Sequence, residues 1–170
     1  MNLAYLVLAA SLLVSPSTQV KQDLVNLRRI GPMPSKGRVQ DQQLSVVEAL
    51  IKAGPPAVTF LVSKLDDRTR IAGQEPVMDF WPRVEVRHVA LVVLCDLLTR
   101  ADEITPTVPG FTWVEILDAH DPNLPAWEVY DRFVAQHGRS AIRRKVEQLL
   151  KPYSGALVWD ATERCFRPRG

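Results

Sequence analysis

Residues 43–98 hold three apolar segments, QLSVVEALIKAG, PPAVTFLVSKLDD and VEVRHVALVVLCDLL, and the punctuation between the first two limits the folds open to the chain. In the first segment Leu44, Val47, Leu50 and Ile51 recur at steps of three and four, so they stack along one face of a helix. Gly54 follows the last apolar position and suits the left-handed turn that ends a helix. Pro55–Pro56 can then open a second helix, because the first turn needs no amide donor. That helix sets Val58, Leu61, Val62 and Leu65 on its buried face. Two helices joined by so short a turn bury their stripes against each other as an antiparallel hairpin. The third segment, residues 85–99, is apolar around most of its circumference, with a thin polar line through Glu85, His88, Asp96 and Thr99. It is expected to be a helix at the centre of the core. His88 reads as a structural histidine, solvated or hydrogen-bonded.

The run Ala49-Leu50, Gly54, Ala57-Val58, Leu61 and Leu65-Asp66-Asp67 resembles a HEAT repeat of the short bacterial type. In that family a helix ending in Gly-Pro is followed by one ending near an Asp, and the next repeat opens with Val-Arg. Val86-Arg87, with Ala90 and Leu94 after it, matches that opening. The chain departs from the family by an 18-residue insertion between Asp67 and Val86. The resemblance implies an all-α fold, a compact HEAT-like array of antiparallel helical hairpins. It also implies a scaffold that binds other proteins and no catalytic residue.

With 46% hydrophobic and 24% charged residues the chain has material for one core, and one domain is the expectation. The first seventeen residues, MNLAYLVLAASLLVSPS, differ in carrying no charged side chain. Their apolar run has the length of a signal-peptide core and is too short to span a bilayer. Ser15 and Ser17 are small residues where a signal peptidase cuts, which places the mature start near Thr18. An uncleaved anchor and a buried N-terminal helix are the other readings of this segment. The expected division is a signal peptide at 1–17, a helical domain at 18–150 and a tail or hairpin at 151–170. A periplasmic or secreted protein follows, with no stable membrane insertion after cleavage.

In an oxidising compartment Cys95 and Cys165 are able to pair, pinning the tail to the core. The other reading makes Cys95 a small buried hydrophobe and Cys165 a loose thiol. Neither cysteine has a second ligand at metal spacing, so no metal and no cofactor are expected.

Residues 18–30 place Val20, Leu24, Leu27 and Ile30 at helical spacing, giving an amphipathic first helix that Gly31-Pro32 ends. Asp41 is the expected N-cap of the next one. The insertion DRTRIAGQEPVMDFWPR cannot continue a helix through Gly73, Pro76 and Pro82. Its Phe80, Trp81 and Arg83 are the candidate partner-binding residues, since Trp and Arg are enriched at interface hot spots. The alternative is that Phe80 and Trp81 fold back over the open end of the hairpin.

Beyond Arg100 the charge divides. Residues 101–131 carry seven acidic side chains and no Lys or Arg, whereas residues 132–170 carry nine basic and three acidic ones. Folded together, the blocks are able to pair with each other. In the acidic block Thr112 and Glu115 have capping-box spacing. Glu115, Asp118, His120 and Asp121 form the densest group of acid–base residues, but the spacing matches no calcium loop.

Pro125 opens a helix with Trp127, Tyr130, Phe133 and Val134 along one face, closed by Gly138. Ser140 is the expected cap of a last helix, with Ile142, Val146, Leu149 and Leu150 inside. The tail LVWDATERCFRPR reads as a short β-hairpin around Asp-Ala-Thr-Glu. A net charge of +2 gives no footprint for nucleic acid. The expected function is a non-catalytic exported module that binds another envelope or secreted protein. An acid–base hydrolase using Glu115 with Asp118 or Asp121 is the alternative.

Overall fold

The computed structural model describes residues 45–70, 84–100, 105–119 and 126–170. The expected signal segment, the helix at 18–30, Asp41 and the Phe80–Arg83 stretch lie outside them. Described in chain order are α1 (Ser45–Ala53), α2 (Pro56–Ser63), α3 (Val86–Leu97), α4 (Trp113–Ile116), α5 (Ala126–His137) and α6 (Ala141–Leu150). A 3-10 turn (Lys151–Tyr153) and two strands, β1 (Leu157–Asp160) and β2 (Cys165–Pro168), complete them. The described residues are mostly helical, with one two-stranded antiparallel sheet among them at the C-terminus. No helix among the described residues is long and apolar enough to cross a membrane.

Gly54 sits at φ +73° with its amide bonded to the Ile51 carbonyl, and Pro55 caps α2. The first helix therefore stops before Gly54 and the second starts two residues later, as the Gly-Pro-Pro spelling requires. All four expected residues of the second helix, Val58, Leu61, Val62 and Leu65, are buried, although Leu65 lies just past the helix end at Lys64.

Helix α3 is the centre of the molecule. It packs on α2, α4, α5 and β2, and Val86, Ala90, Val93, Leu94 and Leu97 are fully enclosed. Each of the valines and leucines contributes roughly 1.5–3 kcal/mol by leaving water. The chain segments around it are tied by backbone bonds as well as by packing. Val86 and Arg87 donate to the carbonyls of Thr69 and Asp67, and Arg70 pairs with Glu85 in an isolated antiparallel bridge. The base of the insertion is thus closed on both sides. After α3, the Thr107 amide donates to the Leu98 carbonyl at 2.8 Å and the Thr107 hydroxyl donates to the Phe166 carbonyl at 2.6 Å. One threonine joins the end of α3 to the C-terminal strand.

The hairpin pairs Leu157 with Pro168, Trp159 with Phe166 and Asp160 with Cys165, so Asp160 of the expected turn belongs to the ladder and Ala161, Thr162 and Glu163 lie outside it. Asp160 Oδ1 accepts the amides of Thr162 and Glu163, and chiefly the Glu163 bond holds its carboxyl below the usual range. A two-stranded hairpin alone is marginal in water. Here Leu157 and Phe166 enter the main core, and the Trp159 ring meets Phe166 edge-on at 5.1 Å.

Ser140 departs from its expected part. Its side chain makes no capping bond to α6; the hydroxyl donates to Asp66 Oδ2 at 3.3 Å instead. Ser140 is at φ −100°, ψ 15°, outside the extended conformation from which a capping side chain reaches the helix amides.

Replacing Phe166 by Ala should lower unfolding free energy by about 3–5 kcal/mol in denaturant, as for a buried ring elsewhere. One cooperative transition is expected; a separate early transition of the hairpin would show that the strands are not part of the core.

Candidate functional site

Polar groups are buried in quantity at one place, the first turn of α3. Arg87 and His88 are the two buried charged or titratable polar residues among those described, only 6% and 2% exposed. They lie there because the apolar helix needs a start, and a helix start leaves amides without partners. Glu85 is the N-cap, and a reciprocal capping box joins it to His88. The Glu85 amide donates to His88 Nδ1 at 3.0 Å. His88 Nε2 lies 3.0 Å from Asp131 Oδ1 on α5, and Arg87 Nη2 donates to that same oxygen at 2.6 Å.

Around this centre the remaining contacts are charge and ring contacts. Arg87 Nε is 2.7 Å from Glu85 Oε2, a charge contact not aligned as a hydrogen bond, so both buried atoms lack a hydrogen-bond partner. Arg68 Nε approaches the same Glu85 oxygen at 3.8 Å. The Tyr130 ring stands edge-on to His88 at 5.0 Å and beneath the Arg87 guanidinium at 5.3 Å. Its hydroxyl donates to the Leu65 carbonyl, and burial pushes the phenol's pKa up. Four parts of the chain therefore meet here: the end of α2, the segment after it, the start of α3 and α5.

The geometry decides what His88 can do. Nδ1 accepts an amide proton, so in the neutral ring the proton is on Nε2 and is given to Asp131. Neither nitrogen is left to take a proton from a substrate. Burial, first of all, lowers the His88 pKa, against the raising influence of Asp131. The cluster links helices, with both His88 nitrogens hydrogen-bonded and Arg87 Nε held to Glu85 by charge alone, and its chemistry is that of a latch.

Of the expected acid–base group, Glu115 and Asp118 lie among the described residues. Thr112 accepts the Glu115 amide at 3.1 Å and its hydroxyl lies 2.8 Å from Glu115 Oε2, so Glu115 serves the start of α4. Lys145 donates to the Glu115 carbonyl at 2.8 Å and to Asp118 Oδ1 at 3.3 Å. Acidic and basic blocks meet at this contact. His120 and Asp121 lie outside the described residues, as do Phe80, Trp81 and Arg83. No group of three or more His, Cys, Asp or Glu among the described residues is placed to hold a metal.

Cys95 lies in α3 and Cys165 opens β2; both are buried and no disulfide joins them. In the strand register Cys165 shares its face with Arg167, opposite the face from which Phe166 enters the core. Burial raises the Cys95 thiol's pKa.

Comparison with protein families, with curated proteins and with solved structures finds no match for this chain.

Asp131→Ala should lower stability by about 2 kcal/mol, below the full cost of breaking a buried pair because the Asp131 side chain is 46% exposed. Glu115→Gln should leave stability within about 0.5 kcal/mol of the parent, since the Thr112 cap remains. Urea unfolding of both variants checks the ranking, and equal effects would contradict it.

Proposed function

We propose that this protein is a non-catalytic, exported protein–protein interaction module built on HEAT-like helical hairpins. The observation that carries the reading is the occupation of the buried polar groups. His88, Arg87, Asp131 and Tyr130 are all engaged in joining α2, α3 and α5. Glu115 and Asp118 are likewise engaged, with a helix cap and with Lys145. Chemistry of this kind builds a scaffold.

The α1–α2 hairpin with its Gly54-Pro55 turn, followed by a helix opening Val86-Arg87, supports the HEAT-like reading. On this reading Val-Arg has a physical use: the valine amide and the arginine amide tie the helix start to the preceding Asp67–Thr69 segment. The insertion interrupts the hairpin array and carries Phe80, Trp81 and Arg83, which we assign to contact with another envelope or secreted protein. The signal-like N-terminus supports export, with Thr18 as the mature start.

Expression of the full chain with a C-terminal tag in its own host tests both halves. N-terminal sequencing should find Thr18, and affinity capture should return one stoichiometric partner at moderate salt. Trp81→Ala should weaken that complex at least about 30-fold, as for a hot-spot residue, with the melting temperature within a few degrees. A cooperative loss of folding in Trp81→Ala would instead make the insertion part of the core and reject the assignment.

A further inference from the structure

We propose that His88 is an acid-released latch on the start of α3: a proton taken from solvent at Nδ1 converts that nitrogen from acceptor to donor and expels the Glu85 amide. The ring then faces an N–H with an N–H, while its Nε2–H bond to Asp131 persists and becomes charge-assisted. The loss falls on one side only. That side holds the Arg70–Glu85 bridge and the bonds from Val86 and Arg87 to Thr69 and Asp67. Protonation therefore loosens the α3 start from residues 67–70 and leaves its tether to α5.

Every charged or titratable group facing the ring bears on this balance. From its own turn come Glu85, which favours the cation, and Arg87, which opposes it; from α5 come Asp131, which favours it, and Tyr130, whose ring edge is in contact. From the segment after α2, Arg68 reaches Glu85 and offsets part of that residue's charge. Burial outweighs the favourable carboxylates, and the folded ring takes its proton less readily than a free histidine. The sign follows. The closed state binds fewer protons than the opened one, so the contact is fully held above about pH 6.5 and is lost as the pH falls below it. Use of such a latch in the cell rests on the exported reading, because outside the cytoplasm pH follows the medium. The test does not rest on it.

Amide hydrogen exchange on the full chain, corrected for intrinsic rates, reads the latch directly. Protection of the Val86 and Arg87 amides should fall with acid, by up to about tenfold per pH unit below about pH 6.5, while that of Val146 in α6 holds. In His88→Gln, which keeps a donor and an acceptor but does not titrate, the difference between the two regions should be flat with pH. Val86 and Arg87 moving in parallel with Val146 at every pH would overturn the proposal, as would an unchanged acid response in His88→Gln. If that variant does not fold, the His88 ring titration by NMR in the parent decides. A midpoint coinciding with the protection change supports the latch, and a separate midpoint overturns it.

Discussion

A charged turn inside an apolar core is the constraint on which the rest of this structure depends. Helix α3 is enclosed almost all round, yet its first turn carries Arg87 and His88, which burial alone would expel. They are retained because other segments bring partners to them: Asp131 from α5, the Glu85 amide and carboxylate, and the Tyr130 ring. Removing water from such groups costs several kcal/mol unless each is matched, so the helices can pack closely in only a few relative positions. The polar cluster fixes which face of α5 meets α3, and the apolar core supplies the driving force.

From that centre the other ties run outward. Backbone bonds from Val86 and Arg87 hold the preceding hairpin, and Thr107 links the far end of α3 to β2. Asp66, just beyond α2, takes Ser140 at 3.3 Å, and its carbonyl accepts Arg139. The C-terminal basic block thereby meets acidic groups from earlier in the chain. Side chains that look like solvent-facing charge in a linear count serve as connections in the fold.

How much of this was legible in the sequence depends on distance along the chain. The Gly54 turn, the Thr112 cap of Glu115, the Gly138 stop and the Asp160 turn of the hairpin were all readable, because each is a local device with fixed spacing. The partnership of Arg87 with Asp131 was not, since it spans 44 positions and periodicity gives a face without naming what meets it. Periodicity put His88 on a thin polar line, solvated or hydrogen-bonded, where the structure buries it with both nitrogens hydrogen-bonded, and it gave no weight to Arg87 beside it; the Val86-Arg87 opening was the one available signal. Ser140 misled for a related reason: cap preference is local, whereas its backbone is not in the capping conformation and its hydroxyl donates to a carboxylate 74 residues away. The pairing of Cys95 with Cys165 is likewise a question of tertiary placement that spacing cannot address.

The central claim is that both nitrogens of His88 are committed within the fold, which makes this cluster a structural latch. Nitrogen-15 NMR of the histidine rings at neutral pH tests it most directly. The account predicts a His88 ring protonated at Nε2 and bare at Nδ1, with the Nδ1 resonance shifted by a hydrogen bond from the Glu85 amide. A ring protonated at Nδ1, or one averaging between tautomers, would leave a nitrogen available for chemistry and contradict the account.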